Sequence, residues 1–156
     1  MPHHVTIYTD GAARGNPGPG GFGIILASGH YRKEAARGFR LTTNNRMELM
    51  AVVEALKMLK YPGTIVDIYS DSKYVVDAVE KGWVFAWEKK NFAKKKNADL
   101  WKQFLELYRR HHVKFHWLKG HNDHPENTRC DQLAVQAASS SFLEEDTGYQ
   151  PESQDD

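Results

Sequence analysis

Residues 4–23, HVTIYTDGAARGNPGPGGFG, constrain this chain more than any other stretch. Val5 and Ile7 alternate with Thr6 and Tyr8, the period-2 pattern of a β-strand. Asp10 falls where that strand is expected to end. The Gly-, Pro- and Asn-rich residues after it predict a turn or loop. A carboxylate at a strand tip beside permissive backbone suits metal chemistry, and it equally suits an Asx-turn that opens the loop.

The order of the remaining elements narrows the fold. FGIILA (22–27) predicts a buried strand, Ser28-Gly29-His30 a hairpin turn, and residues 31–39 a returning antiparallel strand. In residues 42–60, Leu49, Val52, Val53, Leu56 and Leu59 recur at helical spacing, with Arg46, Glu54, Lys57 and Lys60 on the other side. Tyr61-Pro62-Gly63 stops that helix. TIVDIYSD predicts a strand ending at Asp71, and SKYVVDAVEKG a helix closed by Gly82. Trp83, Phe85 and Trp87 lead into a Lys-rich loop, EKKNFAKKKN. An amphipathic helix (98–112), a strand (113–118), a polar loop (119–127) and a helix from Thr128 to about Ser140 complete the chain. This order predicts an α/β fold in which helices flank a five-stranded mixed sheet, with antiparallel strands first and parallel ones added later.

The 156 residues fit one domain, and a chain of this size buries about 68–70% of its unfolded surface. Cys130 is the single cysteine, so no internal disulfide forms. No charged n-region precedes an apolar h-region, and no apolar run approaches a membrane span, so a soluble cytoplasmic protein is expected. The net charge of +1 selects no partner, but its distribution is uneven. Residues 81–102 carry seven Lys against Glu88 and Asp99, which fits either a polyanion-binding face or an ordinary solvated one. Residues 144–156 carry six acids and no Lys or Arg. The expected division is a domain over 1–143 and an acidic, partly disordered tail over 144–156.

Four acids stand at predicted element boundaries: Asp10, Glu48, Asp71 and Asp131. Each has a structural alternative. Asn45 with Glu48, and Thr128 with Asp131, form capping-box-like pairs, and Ser70-Asp71-Ser72 can cap the next helix. Jointly they say more. If the first strand and TIVDIYSD are neighbours, about 4.8 Å apart, Asp10 and Asp71 can share one cation. Glu48 and Asp131 are expected in first helical turns, where the helix dipole favours the ionised form. No Cys/His set has zinc spacing, so hard oxygen ligands select Mg²⁺ or Mn²⁺. An all-carboxylate site with two such ions about 3.5–4 Å apart suits phosphodiester cleavage.

TDGAARGNPGPGG, TTNNRMEL, YSDSKYV, WLKGHNDHPENTRCDQLA and EEDTGYQ, in this order, resemble bacterial ribonuclease H, type 1, from about Thr6 to Gln150. The resemblance implies the ribonuclease H-like fold with the strands of Asp10 and Asp71 adjacent. It makes Asp10, Glu48, Asp71 and Asp131 the metal-binding carboxylates. The implied activity is two-metal endonucleolytic hydrolysis of the RNA strand of RNA–DNA hybrids, leaving 5′-phosphate and 3′-hydroxyl ends. The resemblance further implies two Mg²⁺ ions acting with substrate, Mn²⁺ as a substitute, and a monomer that clears RNA primers and R-loop RNA. His121 of KGH is implied to assist proton transfer or product departure, for which a near-neutral pKa suits it; as a lone residue it reads as a solvated loop histidine.

For the substrate, Asn16, Asn44 and Asn45 offer neutral groups to sugars and 2′-hydroxyls, alongside turn and cap duty. The resemblance adds Thr43 and Asn44 at a DNA phosphate and Trp83 against a DNA sugar, beside a basic protrusion. Lys89, Lys90, Lys94, Lys95 and Lys96 then read as salt-sensitive phosphate contacts. A DNA-cutting nuclease on the same scaffold and a non-catalytic hybrid-binding module are the competing readings.

Overall fold

The computed structural model of the protein describes residues 3–119 and 124–151. Three strands come first: β1 (His4–Ala13), β2 (Gly18–Ser28) and β3 (Tyr31–Thr42). They are followed by α1 (Asn44–Lys57), β4 (Ile65–Ser70), α2 (Lys73–Glu80), α3 (Trp83–Lys89), α4 (Ala98–Tyr108), β5 (His112–Trp117) and α5 (Pro125–Ala138). The sheet order is β3-β2-β1-β4-β5, antiparallel for the first three strands and parallel where β4 and β5 join. This is the expected five-stranded mixed sheet, with β1 between β2 and β4. No helix among the described residues is long and apolar enough to cross a membrane.

Alternation along the strands separates two packing faces. Val5, Ile7, Ile24, Leu26, Val66 and Ile68 join the buried faces of α1 and α4, with Trp101 and Phe104 at the centre. Tyr8 and Ile25 turn the other way, toward Cys130 and Leu133 of α5.

The glycine-rich stretch is not a long loop. β1 continues through Asp10 to Ala13 and β2 begins at Gly18, so only residues 14–17 turn, through a cis Asn16–Pro17 bond. The glycines serve close approach. A Cβ on Gly11 would lie 2.5 Å from the Glu48 backbone nitrogen, and one on Gly21 would lie 2.7 Å from Ala134 O. Side chains at Gly23 and Gly38 would meet the α5 carbonyls of Cys130 and Ala137. Composition marked these residues as permissive; the helices packed on them explain why they lack side chains.

Three further boundaries differ from expectation. α1 is capped by Thr43, whose hydroxyl accepts the Arg46 N–H at 3.2 Å, and not by Asn45. α5 opens three residues before Thr128, at Pro125, whose missing N–H costs nothing at a first helical position. Trp83–Lys89 is the helix α3, entered through left-handed Gly82, and not the start of the Lys-rich loop.

Arg46, expected on the solvent side of α1, is only 2% exposed. Its guanidinium donates to both Asp99 oxygens at 2.9 and 2.6 Å and to Asp146 Oδ2 at 2.7 Å. Asp146 belongs to the acidic tail expected to be partly disordered from Glu144 onward. The start of that segment lies against the domain, and Gly148, Tyr149 and Gln150 line a cleft with Thr43, Lys95 and Lys96. Glu144 bridges to Phe39 of β3 and pairs with Arg37, and Thr42 donates its hydroxyl to Asp146.

Candidate active site

β1 and β4 stop pairing at Tyr8 and Tyr69. Asp10 lies two residues past that point, still paired with Gly23 of β2, and Asp71 directly follows β4. Both carboxylates therefore open into the gap where the two strands part. Asp10 is thus a mid-strand residue and not a strand tip. Glu48 arrives from α1, which Gly11 admits by having no side chain on that face. Ser72, and not Asp71, caps α2, accepting the Val75 N–H at 3.3 Å.

One carboxylate oxygen from each of Asp10, Glu48 and Asp71 lies within 4.8 Å of the other two. Asp131 is exposed on α5 and stands outside this tight set, yet its charge and a hydrogen bond between the two carboxyls act on Asp10. Neither Glu48 nor Asp131 occupies a first helical turn: they are the fifth residue of α1 and the seventh of α5. The expected help from the helix dipoles is therefore absent, and burial governs the site.

Burial is the largest cause that pushes Asp10 up to about 8, followed by the charges of Asp71 and Asp131. The Gly11 N–H, which donates to Asp10 Oδ1 at 2.9 Å, opposes the rise. Glu48 is raised well above the ordinary carboxylate range, first by burial and then by Asp10 and Asp71. Its Oε1 is buried without a hydrogen-bond partner among the described residues. Such a donor set fits a hard divalent cation: oxygen ligands only, desolvated, and mutually repelling until a positive charge sits between them.

A second group of residues lies beyond the start of α1. Asn16 Oδ1 accepts the Asn44 N–H at 3.0 Å, which ties the β1–β2 turn to the helix that Thr43 caps. Asn45, Trp83, Trp87, Lys94, Lys95 and Lys96 line one groove. Lys95 Nζ lies 4.7 Å from the Trp87 ring centroid, and Trp87 meets buried Trp101 edge-on. Trp101 is core, while Trp83 is 46% exposed. Lys89 and Lys90 are exposed at the end of α3. Buried Phe92 anchors the loop that follows them, and Asn91, Phe92, Lys94 and Asn97 all adopt positive φ. His121 lies outside the described residues.

Two features near the site escape a reading of local sequence. Trp117 donates its indole N–H to the Asp71 carbonyl at 3.4 Å, with Lys73 Nζ 4.8 Å above its ring. Arg46 gathers Asp99 and Asp146 from distant segments, and no local periodicity marks that pairing.

The ribonuclease H family model matches residues 2–139, and the chain belongs to the ribonuclease H family. The general activity of that family is metal-dependent cleavage of the RNA strand of RNA–DNA hybrids. Among its relatives, a ribonuclease H of Trichodesmium erythraeum is 52% identical over 151 residues, 94% of this chain and 96% of that protein. One from Aeromonas salmonicida is 49% identical over 156 residues, 97% of this chain and all of that protein. Among solved structures, LC9-RNase H1, a type 1 RNase H with the type 2 active-site motif, has a TM-score of 0.80 at 29% identity, covering 89% of this chain and 74% of that one. LC11-RNase H1, solved in complex with an RNA/DNA hybrid, has a TM-score of 0.63 at 25% identity, covering 86% and 96%.

Proposed function

We propose that this chain hydrolyses the RNA strand of RNA–DNA hybrids at a two-Mg²⁺ centre held by Asp10, Glu48, Asp71 and Asp131. The observation that carries this reading is the convergence of three acids from β1, α1 and the β4–α2 junction, two of them forced upward by burial and mutual repulsion. Bound divalent cations would supply a reactive water and charge neutralisation at the departing oxygen. Asp10 would be the ligand common to the cluster, since it converges with Glu48 and Asp71 and also feels the charge of Asp131. Gly11 N–H fixes the Asp10 carboxylate, and the Ser72 cap keeps Asp71 turned to the cluster. One water adds to phosphorus, the P–O3′ bond breaks, and the products carry 3′-hydroxyl and 5′-phosphate ends. His121 takes the proton-transfer or product-departure role. Mn²⁺ replaces Mg²⁺.

The hybrid lies across Asn16, Thr43, Asn44 and Asn45, with Trp83 against a DNA sugar. Lys89, Lys90, Lys94, Lys95 and Lys96 face phosphates. The hybrid-bound relative LC11-RNase H1 supports this substrate class. Residues 1–143 form the catalytic domain of a cytoplasmic monomer, whose cellular substrates are RNA primers and R-loops.

The test is cleavage of a labelled hybrid beside a matching DNA duplex in Mg²⁺. Selective RNA cleavage is expected. Asp10→Asn should lower turnover by about a hundredfold or more, since several kcal/mol of charge stabilisation is lost. Equal cutting of both duplexes would favour a DNA-cutting nuclease and overturn the proposal. A wild-type rate for Asp10→Asn would overturn the metal assignment.

A further inference from the structure

The acidic C-terminal segment packs against the start of α1 and the root of the Lys-rich loop. Three segments converge on Arg46. Its Nε donates to Asp146 at 2.7 Å, and its two terminal nitrogens donate to Asp99 at 2.9 and 2.6 Å. Nη1 also reaches Asn97 Oδ1 at 3.3 Å. Asn97 and Asp99 are where the Lys-rich loop rejoins α4. Arg46 itself supplies the backbone N–H that the Thr43 cap accepts. One buried guanidinium thus joins the start of α1, the root of the basic loop, and the C-terminal segment.

Asp146 is the inner half of this arrangement. The side chains of Arg46 and Asp146 are each 2% exposed, whereas Asp99 is 41% exposed. Thr42 Oγ1 donates to the same Asp146 oxygen at 2.8 Å. Gly148 packs so closely on Arg46 and Asp99 that any side chain there would collide with them. Beyond it, Gly148, Tyr149 and Gln150 wall a polar cleft whose other side is Thr43, Lys95, Lys96 and Asn97. A buried Arg left with one carboxylate instead of two would be under-compensated, and it would have reason to shift toward Asp99 or solvent. Either shift moves the loop root relative to Thr43.

We propose that Asp146 is a positioning residue for hybrid binding. Acting through Arg46, it fixes Asn97 and Asp99 against the Thr43 cap, so that Lys95, Lys96 and Thr43 meet the duplex as one surface. This rests on the reading of the Lys-rich loop as a hybrid contact. The side-chain partners of Asp146 are Arg46 and Thr42, and it is not among the clustered acids Asp10, Glu48 and Asp71. Its loss is therefore read in KM and in salt dependence, and not in kcat.

The experiment is steady-state hybrid cleavage by the full chain at several salt concentrations, at a temperature where melting curves show each variant folded. Asp146→Asn is expected to raise KM about three- to tenfold with kcat within about twofold of wild type. The slope of log KM against log salt should fall by about one, as it does when one fewer phosphate is neutralised. Asp99→Asn, at the exposed half of the network, should give the same split more weakly. In a Lys95→Ala/Lys96→Ala background, Asp146→Asn should add little, because the groups it positions are gone. The proposal is overturned if folded Asp146→Asn and Asp99→Asn both keep wild-type KM. It is also overturned if the Asp146 effect adds in full to that of the double Lys variant, which is the signature of a purely structural role. If Lys95→Ala/Lys96→Ala itself leaves KM and salt slope unchanged, the loop reading fails and the positioning role fails with it.

Discussion

Asp10→Asn is expected to stabilise the metal-free protein while removing its activity. Asp10 is 4% exposed, and burial followed by the charges of Asp71 and Asp131 pushes its carboxyl up to about 8. In the unfolded chain it titrates near 4. Between these two values the unfolded state sheds its proton more readily than the folded state. Stability therefore falls as pH rises from about 4 to about 8, and stays reduced above that range. A shift of about four units corresponds to a ceiling of about 6 kcal/mol, at roughly 1.4 kcal/mol per unit. Part of that ceiling is shared with Glu48, and a buried amide bears its own desolvation. The expected gain at pH 9 in EDTA is accordingly about 1–3 kcal/mol, within the usual span for one substitution. For a chain of this size it reads as a rise of about 2–12 °C in Tm. Asn keeps an oxygen to accept the Gly11 N–H, so the local backbone bond survives. Thermal melts of both proteins from pH 4 to 9, with and without Mg²⁺, check this. The difference should be near zero at pH 4 and grow to a plateau above pH 8. Saturating Mg²⁺ should shrink it, because a cation held at about a hundredfold above its Kd returns about 2.7 kcal/mol to the wild type. A pH-independent difference, or a variant less stable than wild type at pH 9, would refute the electrostatic account of the site.

Other perturbations probe the remaining parts. Replacing Lys89, Lys90, Lys94, Lys95 and Lys96 by Ala should weaken hybrid binding and reduce the salt slope by several units, roughly 0.9 for each phosphate no longer neutralised; an unchanged slope would return these residues to an ordinary solvated face. Trp83→Ala should raise KM with little change in Tm, since the ring is 46% exposed, and kinetics beside a melting curve separate the two effects. Gly23→Ala would press a methyl onto Cys130 O and, 2.7 Å away, onto Leu133 Cβ. Overpacking of that kind costs about 1–3 kcal/mol in denaturant titration, and turnover should fall as well because α5 carries Asp131.

Much of the fold was legible because its signals are local. The spacing of Leu49, Val52, Val53 and Leu56 is the buried face of α1, and the alternation of Val66 and Ile68 is the core face of β4. The pairing of β1 with β4 has no local signal and came from the resemblance. The glycines misled because composition alone cannot distinguish a residue that must turn from one that must admit a neighbour. Gly11, Gly21 and Gly23 are of the second kind, and their partners lie in α1 and α5. The acids of the site were visible as types, but their placement was not. Glu48 and Asp131 sit deeper in their helices than the apparent capping pairs suggested, since Thr43 and Pro125 set the true starts. Arg46 looked solvated because its two carboxylates come from 53 and 100 residues away.

The bridge between Phe39 and Glu144 has a consequence for the sheet as an edge. β3 is the outer strand, and from Gly38 to Arg40 its open side is taken up by this same chain: Glu144 donates to the Gly38 carbonyl and accepts the Arg40 N–H, each at 2.9 Å. A row of unsatisfied strand groups is a template for pairing with another molecule. The C-terminal segment fills the apolar part of that row beside Phe39, while Arg32, Lys33, Glu34 and Arg37 put charge along the rest. Losing the segment would therefore open a short strand edge to self-association in concentrated solution.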